Sequence, residues 1–265
     1  RDPMKMRAAL LGAAAVMGMA PAAFAERGTD GEVKLTFPQA VSIMNPYLSG
    51  GTKDVYASSL VLEPLAGLDP QGVLIPKLVT EIPTLDNGGI SADMTSITWK
   101  LLPDLKWSDG SAVTADDAVF TWQYCTHPEG GCAQATKFEG VKSVEAVDPS
   151  TIKVTFTAPK ANPYTAFVSS LSPVLQKAQF EACLGAAAPT CTDANNKPIG
   201  TGAFKVTGFT VNDTVSMAAN ENYRDPAKPA FATAVIKGGG DAEGSARAVM
   251  ETGEFDYAWN TQIPP

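Results

Sequence analysis

The sequence predicts a mixed α/β fold of the α+β kind, in which short strands and a few capped helices are interleaved. Large apolar residues alternate with polar ones in several short runs, which is the pattern of strands buried on one face. Elsewhere, apolar residues recur at helical spacing behind residues that cap helices. Strands and helices do not alternate regularly, so the pattern does not favour a strict βαβ repeat.

The strands are predicted from the alternation of side chains. Each run places its large residues on one face, as a half-buried strand requires. Asn212 and Asp213 supply a turn between the fourth and fifth runs. The runs are residues 33–37, 97–101, 152–156, 204–206, 215–217 and 234–236.

Helices are predicted over residues 115–124, 174–180 and 241–252. Before the first helix, a Ser-Asp-Gly turn precedes Thr114, which lies three residues before Asp117 at the spacing of a capping box. For the last helix, Asp241 is a candidate N-cap and Gly253 a candidate C′ residue.

Composition limits the class of protein. The 265 residues suit one large domain or two small ones, and 45% hydrophobic residues are enough for a sizeable core. The net charge of −8 leaves no basic face to neutralise phosphates, which argues against a nucleic-acid partner.

The first 25 residues have the features of a signal peptide. Positive residues at 4–7 precede an apolar run over residues 8–19, and Ala23-Phe24-Ala25 matches the A-x-A cleavage rule. We expect cleavage after Ala25 and a periplasmic mature chain without a membrane span, because the apolar run is too short to cross a bilayer. Residues 1–3 precede the first Met and are interpreted as extra residues. A buried N-terminal helix is the alternative.

The four cysteines form two close pairs in the sequence, Cys125 with Cys132 and Cys183 with Cys191. Export makes disulfides possible, and four cysteines allow three pairings, of which we favour the local one. A zinc site is the alternative, although the spacing is not C-x-x-C and the sequence contains one His.

Residues for covalent catalysis are scarce. A Ser or Cys nucleophile needs a base, and His127 lies in a polar loop without an evident partner. Asp116 and Asp117 lie in the first turn of a predicted helix, where negative charge suits the helix dipole. The glycines at 200–202 and 238–240 complete no nucleotide-binding motif, so we interpret them as loops. We therefore expect no enzyme and no cofactor; an exported hydrolase is the alternative, and a nucleophile–base pair would distinguish it.

A series of motifs, in order along most of the chain, resembles the family 5 extracellular solute-binding proteins, the peptide receptors of ABC importers. The best of them is the KWSDGSAVTADDAVFTW block at residues 106–122. Arg224 stands where the family has Trp, and we interpret this departure as having no chemical role. The other matching elements are Leu62-Glu63-Pro64-Leu65, Leu68-Asp69-Pro70, Ile75-Pro76-Lys77-Leu78, Val141-Lys142-Ser143-Val144, residues 151–156 and 198–204, Asn222-Tyr223, and residues 248–258.

The resemblance implies a lobe similar to a type II periplasmic binding protein, with a small domain inserted in it. On this pattern residues 26–64 are the first segment of lobe I, residues 65–170 the inserted domain, and residues 171–265 the second segment of lobe I, running into the hinge. Family members continue into a second lobe, so we expect that lobe to be absent from these 265 residues and ligand binding to be weak or absent.

The function implied by the resemblance is capture of peptides or related small solutes in the periplasm by lobe closure, followed by delivery to an inner-membrane ABC permease. A monomer is expected. Opines, sugars and metal chelates are alternative ligands within the same family.

Two segments are candidates for the ligand cleft. A peptide in a cleft needs polar groups that resemble main chain and aromatic surfaces, and the resemblance places both segments beside the cleft. The alternative for each residue is a purely structural role in the core or in a turn. The candidates are Met44, Asn45 and Tyr47 after the first strand, and Tyr257, Trp259 and Asn260 near the hinge.

Overall fold

The structure, a computed structural model, describes residues 26–261. The expected signal peptide and its cleavage site lie outside the described residues. The mixed α/β fold is confirmed. The strands are β1 (Glu32–Phe37), β2 (Ala66–Leu68), β3 (Leu74–Pro76), β4 (Ser96–Lys100), β5 (Val141–Asp148), β6 (Thr151–Phe156), β7 (Phe204–Thr210), β8 (Thr214–Ala219), β9 (Thr233–Gly238) and β10 (Tyr257–Ala258). The helices are α1 (Thr52–Ser58), α2 (Ala115–Thr126), α3 (Lys177–Phe180), α4 (Thr192–Asn196) and α5 (Ala242–Met250).

The largest sheet has five strands in the order β10-β1-β9-β8-β7. Strand β1 is parallel to both of its neighbours, β9 and β10, while β7, β8 and β9 are antiparallel. Strand β9, helix α5 and strand β10 therefore form a crossover unit with β1 between the two strands. A parallel pair needs such a crossover because its strands run in the same direction.

One hydrophobic core lies between this sheet and helix α1. The alternation predicted for β8 and β9 places their apolar residues on the inner face of the sheet, where they are almost fully buried. Burial of each Val, Ile or Met side chain among them contributes about 1.5 to 3 kcal/mol to stability. The buried members are Phe37, Val41, Met44, Ala57, Val61, Phe204, Val215, Met217, Ala234 and Ile236.

A second core is built on a three-stranded antiparallel sheet in the order β4-β6-β5 and on helix α2. Trp99 and Trp107 are its largest fully buried side chains. Trp107 precedes a tight turn in which Gly110 has φ +87°, a conformation that glycine adopts without strain. The motif block at residues 106–122 is therefore part of the framework of this second core.

The structure refines several predicted elements. The six predicted strands are present, and the helix predicted over residues 174–180 is reduced to Lys177–Phe180. The elements without a counterpart among the predictions are strands β2, β3, β5 and β10 and helices α1 and α4. The division at residues 64 and 170 stays a prediction. Apart from Tyr47 and Leu48, which pack in the second core, the chain passes from the first core to the second between Val61 and Leu62 and back again between Ile199 and Ala203.

Within residues 26–261, none of the helices combines the length and the apolar character needed to cross a bilayer.

Candidate ligand-binding site

The carboxyl ends of three parallel strands meet at one edge of the five-stranded sheet. Pro38 and Gln39 follow β1, Ala242 begins the helix after β9, and Trp259 and Asn260 follow β10. In open α/β sheets, ligands bind outside this edge, where the connections diverge on either side of a central strand. The recess there has a volume of about 380 Å³ and is lined by Pro38, Gln39, Thr52, Lys53, Ala242, Trp259 and Asn260.

The backbone at the end of β9 passes very close to the loop that follows β1. A Cβ atom placed on Gly238 would lie 2.0 Å from the Cα of Ala40, so only glycine can occupy this position without a backbone shift. The amide of Gly239 also donates to the carbonyl of Phe37 at 3.0 Å. These contacts fix the relative positions of two of the segments that line the recess.

Trp259 forms the aromatic wall of the recess. Its ring packs against Phe37 with centroids 4.9 Å apart and meets the ring of Tyr56 edge-on with centroids 5.2 Å apart. Its amide donates to the carbonyl of Thr36 at 3.0 Å. Such aromatic pairs add about 0.5 to 1.5 kcal/mol beyond the area they bury. The wall is therefore held from two sides.

Asn260 and Tyr257 are on the same segment but play different structural roles. Asn260 has φ +51°, which lies in the left-handed region that Asn tolerates better than most residues, and it lines the recess. Tyr257 is paired with Leu35 in the sheet and its side chain is 52% exposed. The structure thus brings Trp259 and Asn260 together at the recess, while Tyr257 is outside its lining.

Lys53 belongs to a polar network at the start of α1. Its Nζ donates to Ser42 Oγ at 2.6 Å and to Asp54 Oδ1 at 2.9 Å, and Ser49 Oγ donates to Asp54 Oδ2 at 2.7 Å. Burial alone would raise the pKa of Asp54, but hydrogen bonds from Ser49, Lys53 and Ser42 outweigh it and lower the pKa below its ordinary value. The carboxylate is therefore charged and balances the charge of Lys53.

Met44, Asn45 and Tyr47 lie in the protein interior, and all three are 0% exposed. Asn45 Nδ2 donates to Tyr124 Oη at 3.0 Å and to Asn195 Oδ1 at 2.9 Å, while its Oδ1 accepts from the amide of Tyr47. Burial raises the pKa of Tyr47 well above its ordinary range and that of Tyr124 to about 12, so both hydroxyls stay neutral. In this arrangement a ligand has no access to the three side chains, and their contact with ligand stays a prediction.

The cysteines are paired locally. Cys125 is bonded to Cys132, and Cys183 to Cys191. His127 lies inside the first disulfide loop, and its Nδ1 accepts from the amide of Glu129 at 3.2 Å. This contact is with the backbone and does not activate a nucleophile.

Five lining residues were not among the predicted site residues: Pro38, Gln39, Thr52, Lys53 and Ala242. Helix α1 has seven residues, which is too short for a clear apolar period, so Thr52 and Lys53 gave no helical signal. The glycines that precede Ala242 did mark a loop, and the missing information was that this loop follows a parallel strand. Recognition of the β9–α5–β10 crossover would have placed it at the edge of the sheet.

The sequence matches known proteins over most of its length. The family model for bacterial extracellular solute-binding proteins, family 5 Middle, matches residues 74–265. A candidate ABC transporter peptide-binding protein of Brucella ovis is 29% identical over 139 residues, which are 51% of this chain and 25% of that protein. The glutathione-binding protein GsiB of Shigella flexneri is 23% identical over 246 residues, 91% of this chain and 44% of that protein.

Solved structures agree with this assignment. NikZ from Campylobacter jejuni, in complex with Ni(L-His), superposes with a TM-score of 0.71 at 28% identity and covers 86% of this chain and 42% of its own. OppA of Listeria monocytogenes, bound to peptide, has a TM-score of 0.72 at 20% identity over 84% of this chain and 45% of its own, and shows a shared fold. This chain thus spans less than half the length of these relatives. It belongs to the family 5 bacterial extracellular solute-binding proteins, as its motifs predicted.

Proposed function

We propose that this chain acts in a substrate-binding component of an ABC importer, which captures peptides or related small solutes in the periplasm and delivers them to an inner-membrane permease. The observation that carries the proposal is the recess at the carboxyl ends of β1, β9 and β10, with Trp259 as its aromatic wall. The described residues would form one wall of the ligand cleft.

The lining of the recess suits the recognition of a peptide backbone. Gln39 and Asn260 carry amide groups that can both donate and accept, Thr52 carries a hydroxyl, and Trp259 offers a flat apolar surface. None of these contacts requires covalent chemistry, so binding alone is sufficient for the role. Closure of the cleft around the ligand would then favour the state that the permease recognises.

Charge favours a ligand with few uncompensated charges on this wall. Among the described residues, Lys53 is the one cationic residue in the lining, and Asp54 pairs with it at 2.9 Å. The pair leaves little net charge at the recess. A neutral peptide backbone therefore suits this surface better than a strongly anionic or cationic solute. The alternative ligands are an opine, a sugar or a metal chelate.

Among the predicted site residues, Trp259 and Asn260 are proposed as direct contacts. Met44, Asn45 and Tyr47 would act from below as the support of the loop that carries Ser49 to Lys53, and Tyr257 would lie at the rim. This division follows from their burial and from their hydrogen bonds within the chain.

The proposal is tested by nuclear magnetic resonance on the isotopically labelled chain, titrated with trialanine and, separately, with mannose and Ni²⁺-histidine. We expect trialanine to shift the signals of Thr52, Lys53, Asn260 and the Trp259 indole, and the variant Trp259→Ala to reduce these shifts. The matched control is Val147→Ala, because Val147 is 61% exposed and lies on β5 of the three-stranded sheet.

The results separate the alternatives. If mannose or Ni²⁺-histidine shifts these signals and trialanine does not, the proposed ligand class changes from peptide to that class. Cleavage of trialanine, detected by chromatography of the same samples, would support a hydrolase. Shifts confined to surfaces away from the recess would overturn the proposed site.

A further inference from the structure

We propose that the two disulfide loops form a clamp that positions the segment at residues 44–53, whose last two residues line the recess, and that Asn45, Gln134 and Asn195 are its positioning residues. The inference rests on the proposed function, because it gives the clamp a role in presenting Thr52 and Lys53 to ligand.

The first arm of the clamp follows the disulfide Cys125–Cys132 directly. The amide of Ala133 donates to the carbonyl of Tyr47 at 2.7 Å. The side chain of Gln134 is buried, and its Nε2 donates to the carbonyls of Pro46 and Ser49 at 3.3 and 3.0 Å. Two residues after a disulfide thus satisfy three carbonyl groups of the loop.

The second arm follows the disulfide Cys183–Cys191. Asn195 accepts from Asn45 Nδ2 through its side-chain oxygen and from the amide of Met44 through its carbonyl, at 2.9 and 3.0 Å. Its own position is fixed by donation from its amide to the carbonyl of Cys191 and from Nδ2 to the carbonyl of Ala188, at 2.9 and 2.8 Å. Ala188 lies inside the disulfide loop.

The two arms touch each other. A Cβ atom on Gly185 would lie 2.5 Å from Cε1 of His127, so the imidazole of the first disulfide loop packs directly on the backbone of the second. Gly185 has φ +62°, which also favours glycine at this contact. The two disulfide loops therefore behave as one body with the loop at residues 44–49 held against it.

The clamp reaches the recess through a short chain of hydrogen bonds. Ser49, whose carbonyl is held by Gln134, accepts from the amide of Gly51 and donates to Asp54 Oδ2 through its hydroxyl. Asp54 in turn accepts from Lys53 Nζ at 2.9 Å. A shift of Ser49 would move Gly51 and Asp54, which are bonded to its hydroxyl, and would move Thr52 and Lys53 between them.

Disulfides suit this task because the segments they close have little regular structure. The second loop consists mainly of the short 3₁₀ turn Gly185–Thr190, and the first is an irregular connection after α2. A short covalent ring restricts such a segment where few ladder hydrogen bonds are available.

Amide hydrogen exchange of the chain without ligand tests the inference. The variants are Cys125→Ser/Cys132→Ser, Cys183→Ser/Cys191→Ser and Gln134→Met, the last with both disulfides intact. We expect the amides of Met44, Tyr47 and Gly51 to exchange at least about tenfold faster in each variant, with no change in β8 and β9, because local opening has its own free energy. The matched control for the substitution of a glutamine is Gln71→Met, since Gln71 is exposed in the turn between β2 and β3.

Acceleration spread uniformly over β8 and β9 as well would show that the disulfides stabilise the whole fold without positioning the loop, and would overturn the inference. Unchanged exchange at the three amides would also overturn it. If a Ser variant does not fold, Gln134→Met decides between these outcomes. Since exchange is measured without ligand, a failure here is distinct from a failure of the trialanine titration.

Discussion

Arg224 holds the carboxylate of Glu63 through two parallel hydrogen bonds, from Nη1 to Oε2 at 2.7 Å and from Nη2 to Oε1 at 2.9 Å. Thr201 Oγ1 also donates to Oε2 at 3.0 Å. Glu63 is 8% exposed, so these partners replace the water that its carboxylate loses on burial. The pair joins the segment after α1 to the segment after β8. Arg224 was expected to have no chemical role, and the structure gives it an electrostatic one.

Substitution of either partner of this pair should destabilise the fold. We expect Arg224→Met to lower the free energy of unfolding by about 2 to 4 kcal/mol, because a buried carboxylate loses its counterion while Arg224 itself is partly exposed. Glu63→Gln should cost less, since the amide still accepts from Thr201. Urea unfolding of both single variants and of the double variant measures the coupling. A double variant whose loss equals the sum of the single losses would show that the two residues do not stabilise each other.

Asp117 should contribute far more to stability than its neighbour Asp116. Asp117 accepts from the amides of Thr114 and Lys177, both at 2.9 Å, and from Trp107 Nε1 at 3.3 Å. Asp117→Ala leaves these donors without an acceptor, which should cost about 2 to 4 kcal/mol. Asp117→Asn should cost less because one oxygen remains.

The matched control is Asp116→Ala, in the same helical turn but exposed, which should change stability by about 0.5 kcal/mol or less. Thermal and urea unfolding of the three variants provide the comparison. Equal losses for Asp116→Ala and Asp117→Ala would mean that the helix dipole, which acts on both residues, is the main effect.

Local patterns predicted most of the fold. Thr114 and Asp117 marked the start of α2, and Asp241 marked the start of α5, where its side chain accepts from the amide of Gly244 at 2.6 Å. These signals are legible because a cap and its helix are neighbours in sequence. Gly253 was less informative, since α5 ends at Met250 and the left-handed glycine comes three residues later.

The candidate site was predictable only in part, because it depends on which strands are neighbours. Trp259 and Asn260 were placed beside the cleft by resemblance, and the structure brings them into the lining of the recess. Asn45 was selected as a polar residue after a strand, but its partners Tyr124 and Asn195 are 79 and 150 residues away along the chain. No local pattern reveals that such a residue is buried and fully paired.

Acid should weaken the network at the start of α1. The pKa of Asp54 is lowered in the folded chain by its hydrogen bonds, so the charged carboxylate stabilises the fold above the ordinary pKa of 3.8. This contribution is lost as the pH falls through the folded pKa, where the carboxylate takes up a proton. We therefore expect the difference in free energy of unfolding between the natural chain and Asp54→Asn to be constant near neutral pH and to shrink below about pH 4. Urea unfolding between pH 7 and pH 3 measures it.

A companion variant identifies the source of this effect. Ser49→Ala removes one of the hydrogen bonds to Asp54 Oδ2 and should abolish part of the same pH dependence. A difference between the natural chain and Asp54→Asn that stays constant down to pH 3 would contradict the role assigned to the charged carboxylate.

Gly238→Ala should disturb the edge of the sheet where the recess lies. The new Cβ would lie 2.0 Å from the Cα of Ala40 and 2.7 Å from its backbone nitrogen, so the loop after β1 must move away from β9. Overpacking of this kind costs about 1 to 3 kcal/mol, and here the shift also displaces Pro38 and Gln39 from the lining.

The matched control is Gly208→Ala in β7, whose Cβ would meet Ser216 at an ordinary 3.6 Å and whose φ is not positive. That substitution should stabilise the chain by up to about 1 kcal/mol, because alanine loses less backbone freedom on folding. Urea unfolding, combined with the trialanine titration, separates the two variants, and equal behaviour would show that the contact between Gly238 and Ala40 does not constrain the recess.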